Sequence, residues 1–173
     1  MAKFTAFSAS KMNEIKLLTD SMFGRLTRLL RIFGYDTVYA NDLENYFKVS
    51  PVPDDLLLKY ALEHDRIVIT RDYPFFKKNK KKIIYLEGEG VYHYLNHLKK
   101  KLHLEYDFVL QKARCSVCNS SLEKVMDKKE IINEVKSQTF KFYDDFYHCT
   151  NESCRKIYWE GTHIDKIMNQ LKN

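Results

Sequence analysis

Residues 66–72 read Arg66-Ile-Val-Ile-Thr-Arg-Asp72, a β-branched run followed closely by an acidic residue. A short continuous apolar run of this kind is typical of a strand buried on both faces of a parallel sheet. Open α/β sheets bind their ligands beyond the carboxyl ends of the strands. The stretch therefore predicts a parallel sheet and places Asp72 at the edge where a ligand binds.

Helix and strand patterns alternate on both sides of this run. Apolar spacing predicts further strands over 14–20, 35–40 and 83–86, and helices over 22–33, 54–63 and 91–102, with Asp54 as the cap of the second helix. The segment 41–53 contains two prolines and is predicted to be a loop. Residues 1–13 show no periodicity. The order β-α-β-α-β-β-α indicates an α/β fold, with a mostly parallel sheet and helices on both of its faces.

Length and composition limit the classes of protein to consider. The chain has 173 residues, of which 45% are hydrophobic and 30% charged, which excludes a disordered chain or a long multidomain one. No stretch approaches the ~20 apolar residues of a membrane span, and the start lacks the apolar segment of a secretory signal. We therefore expect a cytoplasmic protein without membrane contacts. The formal charge of +6 fits an anionic partner such as nucleic acid.

Three carboxylates are predicted to converge at one edge of the sheet. Asp20 and Asp72 follow predicted strands, and Asp54 can join them from the start of a helix. Carboxylate oxygens suit Mg²⁺ or Mn²⁺, which can activate water and neutralise charge on a phosphodiester. The arrangement indicates metal-dependent phosphodiester hydrolysis. Taken singly, each aspartate is better explained as a helix cap or a turn residue than as a metal ligand.

Basic residues surround the predicted acidic edge. Arginines recur along the polar arc of the first helix, Arg71 precedes Asp72, and five lysines fill six positions from residue 77 to residue 82. Such groups can bind phosphates, although a solvated helix face or loop explains them as well. The candidate nucleic-acid contacts are Arg25, Arg28, Arg71, Lys78, Lys80 and Lys81, with Arg31 on the same predicted cationic face. Aromatic and histidine side chains over 92–97 offer stacking surfaces, but core packing accounts for them equally.

Two cysteine pairs predict a metal site near the C-terminus. Cys115 and Cys118 are separated by 30 residues from Cys149 and Cys154. Two such pairs supply four thiolates for tetrahedral zinc, and closed coordination of this kind is structural and not catalytic. Reducing conditions inside a cell disfavour disulfides between them. His148 is an alternative ligand, Asn119 suits a left-handed position in a zinc knuckle, and residues 140–143 look like a strand.

Four blocks of sequence carry a resemblance to a known family. They are Asp20-Ser-Met-Phe-Gly-Arg-Leu-Thr-Arg-Leu-Leu-Arg-Ile-Phe-Gly-Tyr-Asp36, Asp54-Asp-Leu-Leu-Leu, Ile69-Thr-Arg-Asp72 and Tyr158-Trp-Glu-Gly-Thr-His163. The chain resembles the Mut-seven C-terminal RNase family over about residues 14–168. The resemblance implies a PIN-like nuclease domain over 12–110, a zinc ribbon over 111–173 and RNA as the partner.

The resemblance also implies roles for the acidic residues. Asp20, Asp54 and Asp72 match the positions expected to bind the catalytic Mg²⁺ or Mn²⁺, and the implied reaction is hydrolysis of single-stranded RNA. Asp55 adjoins Asp54, and the spacing to Ala61 favours Asp54 as the residue that points inward. One rival interpretation is a non-catalytic protein that docks on RNA or the ribosome through its basic surface and zinc ribbon. A nuclease from a toxin-like pair is a second rival, which the appended zinc module disfavours.

Overall fold

The computed structural model describes residues 15–172, so the predicted leader over 1–13 lies outside the described chain. A four-stranded, fully parallel sheet has the order β2-β1-β3-β4, and a three-stranded antiparallel sheet has the order β5-β6-β7. The strands are β1 (Lys16–Thr19), β2 (Asp36–Tyr39), β3 (Ile67–Thr70), β4 (Ile83–Tyr85), β5 (Leu122–Lys124), β6 (Phe146–Cys149) and β7 (Ile157–Trp159). The helices are α1 (Gly24–Ile32), α2 (Glu44–Phe47), α3 (Asp54–Glu63), α4 (Tyr73–Lys78), α5 (Val91–Leu102), α6 (Ser137–Phe142) and α7 (Thr162–Lys172).

The parallel sheet separates two apolar layers. Because side chains alternate across a strand, Leu17 and Ile69 face one layer while their neighbours Leu18 and Val68 face the other. The first layer is filled from α1, α5 and α7, and the second from α3 and α4. The predicted α/β class, with a mostly parallel sheet between helices and a cysteine cluster toward the C-terminus, is confirmed.

The first helix follows β1 almost at once, as its apolar spacing predicts. A 3₁₀ turn over Ser21–Phe23 leads into α1, whose Leu26, Leu29 and Leu30 are buried. The helix ends before Gly34, which has φ of +89°; a Cβ there would lie 2.8 Å from the carbonyl oxygen of Lys112. Glycine is required at this position because both the left-handed backbone and the close approach exclude a side chain.

Four local predictions are wrong. The segment 41–53 is not a plain loop: it holds part of a 3₁₀ turn and α2, because Leu43 and Phe47 pack into the second layer. Helix α4 lies between β3 and β4, where none was predicted, since Asp72 caps it and proline stands in its first turn. Pro53, not Asp54, occupies the N-cap of α3. Residues 140–143 end helix α6 and form no strand.

The C-terminal part of the chain packs against the parallel sheet. The side-chain oxygen of Asn119 accepts a hydrogen bond from the backbone N–H of Thr37, and its amide donates to Asp36. Helix α7 contacts α5, and its Ile167 is buried in the first layer. The division at residue 110 therefore remains a prediction, and extensive contacts cross it.

Candidate functional site

Asp20 and Asp72 are connected through one threonine at the carboxyl edge of the parallel sheet. Thr70, the last residue of β3, is fully buried, and its hydroxyl donates a 2.7 Å hydrogen bond to Oδ2 of Asp20. The same hydroxyl oxygen accepts a 2.9 Å bond from the backbone N–H of Asp72. The two carboxylate-bearing segments are thus joined at the position predicted from strand order.

Backbone N–H groups also hold the carboxylates of Asp20 and Asp72 in place. Oδ1 of Asp20 accepts from the backbone N–H of Ser21 at 2.6 Å, and Asp20 is 8% exposed. Oδ1 of Asp72 accepts from the N–H of Phe75 at 2.7 Å, which makes Asp72 the cap of α4. Each aspartate therefore acts as a helix or turn cap and also presents a carboxylate at the same edge. A role as a cap and a role as a metal ligand are therefore compatible for both aspartates.

Asp54 is less exposed than its neighbour Asp55 at the start of α3. The side chain of Asp55 is 83% exposed, against 37% for Asp54. Burial raises the pKa of Asp54, the ammonium of Lys78 opposes the rise, and the charges of Asp72 and Asp20 add to it. Those two charges act on Asp54 because it lies close to them. We call Asp20, Asp54 and Asp72 together the acidic edge, and the role of Asp54 in it remains a prediction.

The acidic edge has donors that suit a hard divalent cation, although its side chains are not closed around one. Among residues 15–172, the cysteines are the only group of three or more ligating side chains close enough to hold a metal ion. The ammonium of Lys78 lies 3.5 Å from Oδ2 of Asp54 and 3.0 Å from Oδ1 of Asp55. A carboxylate has about four acceptor sites, so the bonds to Thr70 and to backbone leave capacity for a metal. The donor set fits Mg²⁺ or Mn²⁺.

Sequence reasoning missed two residues of this edge. One is Thr70, and the other is Tyr39, the last residue of β2, whose hydroxyl donates to the carbonyl of Ser21. Burial raises the pKa of Tyr39; the charges of Asp42 and Asp20 add to the rise, and Arg28 opposes it. Both residues end parallel strands. Strand-end position is the signal that could have found them, since the same rule located Asp20 and Asp72.

The predicted basic residues have different environments. Arg25 and Arg28 are exposed on α1, and the guanidinium of Arg25 lies 5.8 Å from the centre of the Tyr92 ring. Lys78 is paired with acidic residues as described above. The remaining candidates, Arg71, Lys80 and Lys81, are exposed. The structure thus leaves arginines beside the acidic edge available to an anionic ligand.

Arg31 does not belong to the cationic face predicted for the first helix. It is 2% exposed and forms a salt bridge with Asp42. Its Nε donates to the carbonyl of Thr37 at 2.8 Å, and its Nη1 donates to the carbonyl of Val117 at 2.7 Å. Helical periodicity could not reveal this, because the partners come from β2 and from the cysteine loop.

The four cysteines form a compact cluster of free thiols. The Sγ atoms of Cys115 and Cys154 are 3.6 Å apart, those of Cys118 and Cys149 are 3.3 Å apart, and all four lie within 4.8 Å of one another. Tetrahedral Zn–S bonds of about 2.3 Å separate sulfurs by about 3.8 Å. The cluster can therefore bind a metal such as zinc.

The surroundings shift the pKa values of the cluster's thiols in opposite directions: burial raises the pKa of Cys149 and of Cys154, whereas the pKa of Cys118 is lowered. Although burial raises the pKa of the Cys118 thiol, hydrogen bonds with the side chain and backbone of Ser120, and with the thiols of Cys149 and Cys115, bring it down to about 6. Asn119 has φ of +67°, the left-handed conformation that a zinc knuckle uses. His148 is outside the cluster, and its Nδ1 contacts the carbonyl of Cys149. All four side chains that could hold a metal here are cysteines.

Comparison with known proteins identifies the family. No helix within residues 15–172 has the length and apolar character needed to cross a membrane. No curated protein and no solved structure matches the chain. A family model described as the Mut7-C RNAse domain matches residues 15–171, in agreement with the resemblance found in the sequence. Because this match covers nearly the whole described chain, the protein belongs to the Mut7-C RNAse domain family, a family of the ribonuclease type.

Proposed function

We propose that the protein hydrolyses phosphodiester bonds of single-stranded RNA with the help of Mg²⁺ or Mn²⁺ held by Asp20, Asp54 and Asp72. The family match supports RNA as the substrate. The observation that carries the proposal is the hydroxyl of Thr70, which connects Asp20 to Asp72 at the carboxyl ends of two neighbouring parallel strands. An open α/β sheet binds its ligands at this edge, so the carboxylates stand at the expected position of a ligand site.

The chemistry divides between the cation and the protein. A divalent cation held by Asp20, Asp54 and Asp72 would supply Lewis acidity, which would lower the pKa of water and neutralise charge on the phosphodiester. Thr70 and the N–H of Ser21 orient Asp20, and the N–H of Phe75 orients Asp72. Such fixed partners limit the reorganisation that metal binding requires. Lys78 offsets the negative charge of Asp54 and Asp55 in the metal-free protein.

Exposed cations around the acidic edge are the proposed phosphate contacts. Arg25 and Arg28 are exposed on α1, which begins within a turn of Asp20. Planar guanidinium groups can bind a phosphate through two parallel hydrogen bonds. Arg71, Lys80 and Lys81 extend the same positive field around Asp72 and α4. We assign these groups to positioning of the RNA backbone, which makes binding dependent on salt.

Zinc in the cysteine cluster has a structural role in this proposal. Four thiolates leave no open position for water, so the ion stabilises the fold and performs no chemistry. The proposed organisation is a nuclease domain over 12–110 and a zinc ribbon over 111–173. The two metals are kept apart by ligand type, because thiolates select zinc and carboxylates select Mg²⁺ or Mn²⁺.

Cleavage of labelled single-stranded and structured RNA, in added Mg²⁺, added Mn²⁺ or neither, tests the proposal. Asp20→Asn and Asp72→Asn should each lower the cleavage rate more than about a hundredfold, since loss of outer-shell partners alone costs 10- to 100-fold. Asp55→Asn is the matched control and should cut like the wild type, because Asp55 is exposed. Bound zinc is measured in every variant, so that damage to the cysteine cluster is separated from loss of the acidic edge.

The opposite result would point to the docking protein. RNA binding that is tight and salt-sensitive, with no cleavage in either metal and no response to Asp20→Asn, contradicts the nuclease. That pattern would assign the basic surface and the cysteine module to RNA or ribosome recognition. Cleavage that survives both aspartate substitutions would instead place the catalytic centre elsewhere.

A further inference from the structure

An open groove of about 390 Å³ lies between α4, β4 and α5, beside the acidic edge. Its volume falls within the range of small-ligand sites in proteins. Three aromatic rings, Tyr73, Phe76 and Tyr85, line one side, with centroids 5.4 to 6.0 Å apart. Tyr73 is 48% exposed. These rings therefore present an exposed apolar surface that a ligand can contact.

The opposite side of the groove is a stripe of imidazole and ammonium groups on α5. His93, His97 and Lys101 recur every four residues, so they lie along one side of the helix and all line the groove. A second ammonium, that of Lys77, lies 4.7 Å from the centre of the Tyr73 ring. The groove therefore combines flat aromatic surface with positive charge. Glu87 also lines the groove and contributes one carboxylate to it.

Strand register places the groove directly beside the acidic edge. Tyr85 is the β4 partner of Thr70, the residue that connects Asp20 to Asp72. Neighbouring strands are about 4.8 Å apart, so the aromatic side begins one strand away from that connection. Tyr73 directly follows Asp72 in the chain. A strand of nucleic acid with a phosphate at the acidic edge can reach the groove with the nucleotide next to it.

The occupant that fits is one nucleotide of a single RNA strand. Bases stack on aromatic rings irrespective of sequence because every base has a flat π-face, while the phosphates bind lysine. Lys101 lines the groove and provides that second contact, and Lys77 adds an ammonium over one face of the Tyr73 ring. A purely apolar peptide would not use these charges, and a free phosphate would not use the rings. Charge and shape together favour a base with its attached phosphate.

We propose that the groove lined by Tyr73, Phe76, Tyr85, His93, His97 and Lys101 is a base-stacking subsite for an RNA nucleotide adjacent to the one cut at the acidic edge. The assignment rests on the proposed function for its substrate, but its test does not depend on cleavage. Tyr73 is the principal stacking residue, because it is the most exposed apolar ring of the groove and the one closest to Asp72 in the chain. The subsite selects single-stranded RNA, since a paired base cannot present its face to a ring.

The test measures binding of a fluorescein-labelled short oligoadenylate to the zinc-loaded full chain carrying Asp20→Asn, so that no substrate is consumed. Adding Tyr73→Ala should weaken binding about 5- to 150-fold, the loss of one base stacked on one ring. Tyr73→Phe should bind like the parent, because the ring is kept. Tyr46→Ala is the matched control: Tyr46 is 63% exposed and also packs on two other rings, but it lies outside the groove.

Three further arms define the ligand. Tyr73→Ala should leave the salt dependence of binding unchanged, whereas Lys101→Ala should reduce its slope by about one phosphate contact. An RNA of the same length made of abasic sugars should bind the parent and Tyr73→Ala equally. Free AMP should bind much more weakly than the oligomer. AMP binding as tight as that of the oligomer would make the groove a mononucleotide pocket and overturn the assignment to an RNA strand.

The experiment distinguishes failure of the proposed subsite from failure of the proposed nuclease activity. Equal RNA binding by Tyr73→Ala and its parent, or an equal loss in Tyr46→Ala, overturns the subsite even when the wild type cuts RNA in added metal. If Tyr73→Ala alone loses RNA binding and the wild-type protein cuts no RNA, the result supports the subsite and contradicts the proposed reaction. Thermal unfolding of each variant confirms that the comparison is made between folded proteins.

Discussion

A single hydroxyl, that of Thr70, forms hydrogen bonds with both the carboxylate of Asp20 and the backbone of Asp72. It donates to Asp20 and accepts from the N–H of Asp72, in a position without solvent contact. Thr70→Val keeps the shape of the side chain and removes both bonds. We expect a loss of about 1 to 3 kcal/mol in the free energy of unfolding, the cost of leaving buried polar groups unpaired, and a 10- to 100-fold loss of kcat/KM.

Serine at the same position is the control for shape. Thr70→Ser retains the hydroxyl and should keep most of the activity, with a modest loss of stability from the missing methyl group. Urea unfolding and RNA cleavage, measured on both variants, check the prediction. Equal activity in the valine and serine variants would show that the acidic edge does not need this connection.

Asp54 provides a prediction for pH. Burial raises its pKa above the ordinary value of 3.8, with the charges of Asp72 and Asp20 adding to the rise against Lys78. The folded protein therefore favours the neutral carboxyl, and this stabilisation is complete below pH 3.8 and lost as the pH rises through the raised pKa. Asp54→Asn cannot ionise. In metal-free buffer at pH 7 it should be more stable than the wild type, by at most about 1 kcal/mol because solvent screens the site.

The comparison across pH separates ionisation from other effects of the substitution. The stability difference between Asp54→Asn and the wild type should shrink as the pH falls toward 3.8. Asp55→Asn, which removes the more exposed partner of Lys78, serves as the control. Added Mn²⁺ should raise the Tm of the wild type more than that of Asp54→Asn, through preferential binding to the folded state. A difference that grows on acidification would contradict the argument.

At the scale of whole elements, Arg31 shows how α1 is fixed to the cysteine loop. Its guanidinium reaches Thr37 of β2, Asp42 and the carbonyl of Val117 from a buried position. Arg31→Met should cost about 3 to 5 kcal/mol of stability, the range for breaking a buried charged network, and should speed the release of zinc to a chromogenic chelator. Arg28→Met on the same helix is the control, and its stability should change by no more than about 0.5 kcal/mol.

Element prediction succeeded where the pattern was long and failed where it was short. Helices α1, α3 and α5 and the parallel strands were predicted from their apolar patterns, since one side of each helix is buried and β1, β3 and β4 each contribute residues to both apolar layers. Helix α4 has only six residues, too few for a periodic signal, and its start depends on the Asp72 cap. Helix α6 has no buried residue, so the aromatic run over 140–143 was mistaken for a strand.

For the molecule as a whole, the sequence predicted which residues lie near one another but not the hydrogen bonds between them. Strand-end position placed Asp20 and Asp72 at one edge, and pair spacing placed the four cysteines together, because both signals are local in the chain. Thr70 looks like any other β-branched strand residue until its partners are known. The burial of Arg31 likewise depends on a loop 85 residues or more away. Such features depend on contacts between residues far apart in the chain, and these contacts cannot be predicted from a single sequence.

The contact of α7 with α5 has a consequence for biosynthesis. Ile167 completes an apolar layer whose first member is Leu17, so that layer joins segments 150 residues apart. A ribosome adds about 5 to 20 residues per second, and the early segments therefore wait on the order of 10 seconds for their last partner. Throughout that interval the emerging chain has an unfinished core. The apolar layer is complete only after the residues of α7 have been added to the chain.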